Sequence, residues 1–167
     1  EGVDRMALDV LVGPARVVDL TGAVGTITRE RLVDAGVDGV TRLLMKTTNS
    51  KLMSAEHFSE DYVALSEEAA AYLLEIGVKL VGIDTAAIDH PLATSLGPHR
   101  GGPLMPYLPG QYKAATGRDP KADFPKWYPA QKKLLAAGIP TIQNVGGDIG
   151  LLRGKRGTFH AMPWKWI

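Results

Sequence analysis

Cysteine is absent from this 167-residue chain. Disulfides, thiolate metal sites and cysteine nucleophiles are therefore excluded within it. Long apolar runs are also lacking: none approaches the roughly 20 residues that a membrane-spanning helix needs. The first residues, EGVDRMALDV, show no signal-peptide pattern, so the expected location is the cytoplasm. No excess of one charge exists either. Nineteen Lys and Arg stand against 18 Asp and Glu, for a formal charge of +1. The basic residues are scattered, apart from the cluster Arg153, Lys155 and Arg156. Neither nucleic acid nor a membrane surface is an expected partner. Familiar catalytic motifs are missing too. There is no Gly-x-Ser-x-Gly elbow and no His-Glu-x-x-His helix. The stretch GPHRGGP lacks the strand–helix setting and the Lys-Ser/Thr of a phosphate loop.

What is present suits one globular α/β domain. Hydrophobic residues make up 45% and charged residues 22%, enough to bury a core. Residues 10–20 hold a β-branched run after a Gly-Pro turn and read as a buried strand. Thr28 and Gly36 bracket a short helix. Residues 40–48 read as a second strand, and 49–64 as polar and irregular. The clearest helix is 66–76. Ser66 caps it, Glu67 and Glu68 suit its positive end, and Ala69, Tyr72, Leu73 and Ile76 share a face. Gly77 stops it, and the strand 78–85 follows at once. That order predicts a mostly parallel sheet, with the strands near 16–20, 79–85 and 140–144 in it and the 66–76 helix packed on it.

Residues 86–126 carry seven prolines and five glycines. They read as a long loop with one short helix near Gln111 to Thr116, folded over the domain's own site or a neighbouring subunit. Residues 129–138 read as a helix, 139–145 as a strand, and the last strand is expected around Thr158 to Trp164.

Several residues could carry chemistry, each against a plainer alternative. Asp84 and Thr85 end a strand, where ligand sites gather in α/β folds, or Asp84 caps a turn through its own backbone. Asp89, His90, His99 and Arg100 lie in the Pro/Gly loop. They could bind a metal or clamp a carboxylate, or serve only as polar loop residues. Gln143 and Asn144 end a buried strand and could hold a ligand through their amides or form a turn. Gln131 opens a helix and reads as solvated. His57 and His160 are isolated, and each reads as a core or dimer-face histidine.

The wording and order of several segments resemble the cyclase family of metal-dependent hydrolases, which includes kynurenine formamidase and isatin hydrolase. They are LVGPARVVDL (11–20), RLLMKTTNS (42–50), YVALSEEAAAYLLEIGVKLVGIDT (62–85), DHPLATSLGPHRGGPLMP (89–106), FPKWYPAQKKLLAAGIPTIQNVGGD (124–148) and GKRGTFHAMPWKW (154–166). The long Pro/Gly loop is similar to that of the family's larger branch. The resemblance implies a swivelling β/β/α cyclase-like fold, here partial, in a single incomplete domain over 1–167 that is part of a homo-oligomer. It implies a zinc or manganese ion whose bound hydroxide attacks an amide, formamide or lactone carbonyl of a small-molecule substrate. The family's His-x-Gly-Thr-His-x-Asp-x-Pro motif, and the His thought to transfer a proton, would precede residue 1. The chain is thus expected to be a fragment that needs the N-terminal portion of the same gene product. At the family's later metal positions, a His and a Glu, this sequence has Gln131 and Gln143. Both are neutral and hold a hard cation less firmly. The alternative is a non-catalytic homologue serving as a structural or regulatory subunit.

Overall fold

The structure, a computed structural model, describes residues 5–51, 62–98 and 105–163. His57, His99 and Arg100 lie outside these residues. Five strands form one sheet in the order β6-β5-β3-β1-β7. They are β1 (Val12–Asp19), β3 (Arg42–Lys46), β5 (Leu80–Ile83), β6 (Thr141–Ile142) and β7 (Arg156–His160). The pairs β1–β3, β3–β5 and β5–β6 are parallel, and β7 runs antiparallel along β1. The expected strands at 16–20, 79–85 and 140–144 therefore do share one sheet. A second ladder of two residues per strand pairs β2 (Thr26–Ile27) with β4 (Ala64–Leu65); strands so short leave no alternating pattern to read.

Strand alternation divides the core between the sheet's two faces. Val18, Leu43, Met45, Val81 and Ile83 point to one side, into the larger apolar cluster with Leu32, Leu73 and Leu134. These come from α2 (Arg29–Asp34), α3 (Glu67–Glu75) and α7 (Pro129–Ala136). Val17, Leu44 and Leu80 point to the other side and meet Ile149, which lies in the 3-10 turn Gly147–Leu152. Gly82 faces this side as well. A Cβ there would sit 2.5 Å from Leu44 Cδ2 and 3.4 Å from a Val145 methyl, so the close approach of these side chains requires glycine.

The helix α3 forms for the reasons its sequence gives. Ser66 Oγ accepts from the Ala69 N–H at 3.0 Å, worth about 1 kcal/mol as a cap. Leu73 is fully buried and Ile76 half-buried against the cluster. Burial of a leucine contributes roughly 1.5–3 kcal/mol. Arg42, itself buried, ties the short helix α1 (Leu8–Leu11) to the sheet by donating to the carbonyls of Asp9, Val10 and Pro14.

Residues 86–126 depart from the expected single helix. Among the described residues they hold α4 (Pro91–Ser95), α5 (Leu108–Thr116) and α6 (Pro120–Asp123). Proline occupies the first or second position of each, where its missing N–H costs nothing and its fixed φ suits a helix. The prolines are starts, not interruptions. Leu92 is buried, whereas Tyr107 remains half exposed. The final strand also lies earlier than expected, at 156–160, and His160 within it is exposed opposite Val12, which removes the core reading of that histidine. No helix among the described residues is long and apolar enough to cross a membrane.

Candidate functional site

Parallel pairing brings the C-terminal ends of β1, β3, β5 and β6 to one edge of the sheet. Asp19, Lys46–Thr47, Asp84–Thr85 and Gln143–Asn144 gather there. This is the edge at which α/β folds place ligands.

The centre of that edge is the Asp84 carboxylate, completely buried. The Thr47 N–H lies 3.0 Å from both of its oxygens, and the Thr47 hydroxyl donates at 2.7 Å. The Ser50 N–H donates to Oδ2 at 3.2 Å, and the Lys46 ammonium stands 3.4 Å from the same atom. Lys46 is buried and also donates to the Thr47 carbonyl. Asn49 completes the network by donating from Nδ2 to the Asp84 carbonyl at 2.7 Å. The sequence left open whether Asp84 lines a ligand site or caps its own turn. Its carboxylate does not cap its own turn; it accepts from the segment after β3, 37 positions away. A buried charge is tolerated when paired and hydrogen-bonded in this way. Lys46, Thr47, Asn49 and Ser50 did not stand out in the sequence. The available signal was a Thr-Thr-Asn-Ser run directly after a buried strand.

The two glutamines sit in a different setting. Gln131 lies in the first turn of α7 and Gln143 directly follows β6; both are half-buried. Among the described residues, neither side-chain amide has a hydrogen-bond partner. Each lies near a non-glycine residue with left-handed backbone: Tyr128 at φ 49° and Asn144 at φ 55°. Such conformations are costly and concentrate at functional sites. Asn144 is exposed, and its N–H donates to the Thr85 carbonyl at 2.9 Å. Thr85 turns inward and donates to the Ala87 carbonyl at 2.6 Å.

Asp89 positions the helix that carries Gln131. Its carboxylate accepts from the Ala130 N–H at 2.8 Å and the Gln131 N–H at 3.0 Å, satisfying two free donors at the start of α7. Burial pushes the Asp89 carboxyl above the usual range, against the lowering effect of those two N–H groups. His90 accepts the Leu92 N–H on Nδ1 at 3.1 Å and stacks on Phe124 with ring centroids 4.3 Å apart. Burial pushes its pKa down. Of the plainer and chemical readings open for Asp89 and His90, their contacts match the structural one.

A divalent metal can be tested against these residues. Zinc sites take three or four Cys, His or carboxylate ligands. Among the described residues no three His, Cys, Asp or Glu side chains come together in a way that could hold a metal. The Asp84 carboxylate is occupied by its donors. Gln131 and Gln143 add two neutral oxygens at most. These residues do not fit zinc or manganese by themselves.

Comparison with known proteins gives four matches. The profile of the Cyclase family matches residues 1–90, just over half of the chain. The kynurenine formamidase of Bacillus cereus is 34% identical over 82 residues, covering 49% of this chain and 38% of that protein. In structure, isatin hydrolase A from Labrenzia aggregata superposes with a TM-score of 0.68 at 20% identity, over 99% of this chain and 60% of its own. A protein described as a predicted metal-dependent hydrolase from Bacillus stearothermophilus gives 0.53 at 25% identity, over 83% of this chain and 50% of its own. The chain thus spans 38% of the length of that curated relative and about half of these solved ones.

Proposed function

This chain belongs to the cyclase family, and from that premise we propose that it serves a hydrolase acting on the carbonyl of an amide, formamide or lactone. The observation that carries the reading is the strand-end edge. It holds a buried polar framework around Asp84 and, after β6, Gln143; neither its amide nor that of Gln131, in the first turn of α7, has a hydrogen-bond partner among the described residues. The names of its relatives point the same way: a formamidase, a hydrolase of the cyclic amide isatin, and a metal-dependent hydrolase. Within this reading the chain's own groups bind and orient. Side-chain amides can donate to a carbonyl oxygen and accept from an amide N–H. Donors fixed where negative charge develops lower the barrier to carbonyl addition. The Asp84 network ties the ends of β3 and β5 together. Any zinc or manganese takes its ligands mainly from outside the described residues.

A second reading has its own observation. At the two positions where the resemblance implies a His and a Glu, this chain has the neutral Gln131 and Gln143, as a non-catalytic structural or regulatory homologue would. The full-length protein decides between them. It is purified, supplied with zinc or manganese, and assayed against an N-formyl aryl amine, isatin and an aryl lactone, with and without chelator. Chelator-sensitive product formation supports the hydrolase. Absence of turnover on all three, in a folded protein, supports the subunit.

A further inference from the structure

The helical layer carries a feature that the strand-end edge does not use. Between α3 and α7, facing outward, lies an open groove of about 810 Å³. Its floor is apolar, built from Leu74, Pro129, Ala136 and Ala137. At one end stands Trp127, 43% exposed. An indole left this accessible forgoes the burial that normally makes the residue worth keeping. The charges around it are unbalanced. Lys126, Lys132 and Lys133 all line the groove, and Glu67 is the one carboxylate lining it among the described residues. Glu67 is shared by two of them, Lys126 at 2.6 Å and Lys133 at 3.4 Å. Lys132 forms no salt bridge with a carboxylate among the described residues, although its charge acts on Asp89; its ammonium lies 5.8 Å from the Trp127 ring centroid.

We propose that this groove binds a small aromatic carboxylate. Trp127 offers a flat face for a ring, the apolar floor takes the ring's edge, and Lys132 with Lys126 receives the carboxylate. Each element of the site has its counterpart in that ligand class. A ring without charge leaves the lysines unused, and a charge without a ring leaves the indole in water. None of Asp84, Thr47, Asn49, Gln131 or Gln143 lines the groove, so binding in it is measured separately from turnover.

The test is calorimetry on the full-length protein with chelator present, using indole-3-acetate as the probe and its neutral isostere indole-3-acetamide as the control. Saturable binding of the acetate is expected, with the acetamide at least about fivefold weaker and the acetate's affinity falling as salt rises. Trp127→Ala should weaken the acetate at least about tenfold. Lys126→Gln with Lys132→Gln should weaken it about fivefold and flatten the salt dependence. These two lysines are exposed, so the double variant carries the test even if Trp127→Ala fails to fold by circular dichroism. Equal affinity for acetate and acetamide overturns the proposal. So does unchanged binding in the lysine variant, or binding of a hexaglutamate peptide with no binding of the acetate.

Discussion

Asp84 at the end of β5 and the two glutamines, Gln143 after β6 and Gln131 in the first turn of α7, are built in opposite ways. Asp84 is an ion buried completely, and its oxygens meet two N–H groups, a hydroxyl and an ammonium. Gln131 and Gln143 are neutral, half-buried and without side-chain partners among the described residues. The first arrangement spends all its polar capacity on the fold. The second leaves its capacity available. A strand-end carboxylate is thus part of the framework here, whereas the two glutamine amides make no hydrogen bond among the described residues.

The contrast can be broken most decisively at Asp84. Asp84→Ala strands Lys46 and the Thr47 and Ser50 N–H groups in a buried site, and should cost about 3–5 kcal/mol in urea unfolding. A loss under about 1 kcal/mol would mean that water replaces the carboxylate and that the site is not closed. On the other side, Asp89→Ala removes the acceptor for the first N–H groups of α7. It should cost about 1 kcal/mol, the scale of a helix cap, and loosen Gln131 without disturbing β3 and β5. Amide hydrogen exchange confined to the start of α7 would check this.

Asp89 also gives the pH dependence a sign. Burial raises its pKa in the folded chain, so the folded state holds this proton more tightly than the unfolded one. The contribution of Asp89 is greatest below the ordinary aspartate value of about 3.9. It declines as the pH rises through the raised value and is flat above it. Asp89→Asn should abolish that decline in the urea midpoint; an unchanged profile in the variant would assign the effect elsewhere. The smallest effect belongs to the glutamines. Gln131→Ala and Gln143→Ala should each change stability by no more than about 0.5 kcal/mol. A loss several times larger would make them structural and erase the contrast.

Much of this scaffold was legible in the sequence because its signals are local. Ser66, the face of α3, and Gly77 before β5 form one uninterrupted pattern. Of the helices in 86–126, α5 was expected near Gln111 to Thr116, but α4 and α6 were hidden because proline reads as a breaker, and only the structure shows it at the first turn of each. The shift of the last strand to 156–160 follows from its pairing with β1, which a single strand cannot announce. At the site, the positions of Asp84, Gln131 and Gln143 could be read, but not their partners. Asp84 meets Thr47 across 37 positions, and Asp89 reaches α7 across 41. Contacts over such distances are set by the order of strands in the sheet, not by neighbouring residues.

We propose, as the central claim, that Gln131 and Gln143 face the metal position that the family resemblance implies, and that as neutral groups they hold a divalent ion only weakly by themselves. Calorimetric titration of the 167-residue chain with zinc and with manganese, alongside the Gln131→His/Gln143→Glu double variant, tests it most directly. The account predicts no tight binding by the chain as it stands, and a clear gain in affinity in the double variant when it is made in the full-length protein. Micromolar or tighter binding by the unaltered chain, or a double variant in the full-length protein that gains nothing, would contradict it.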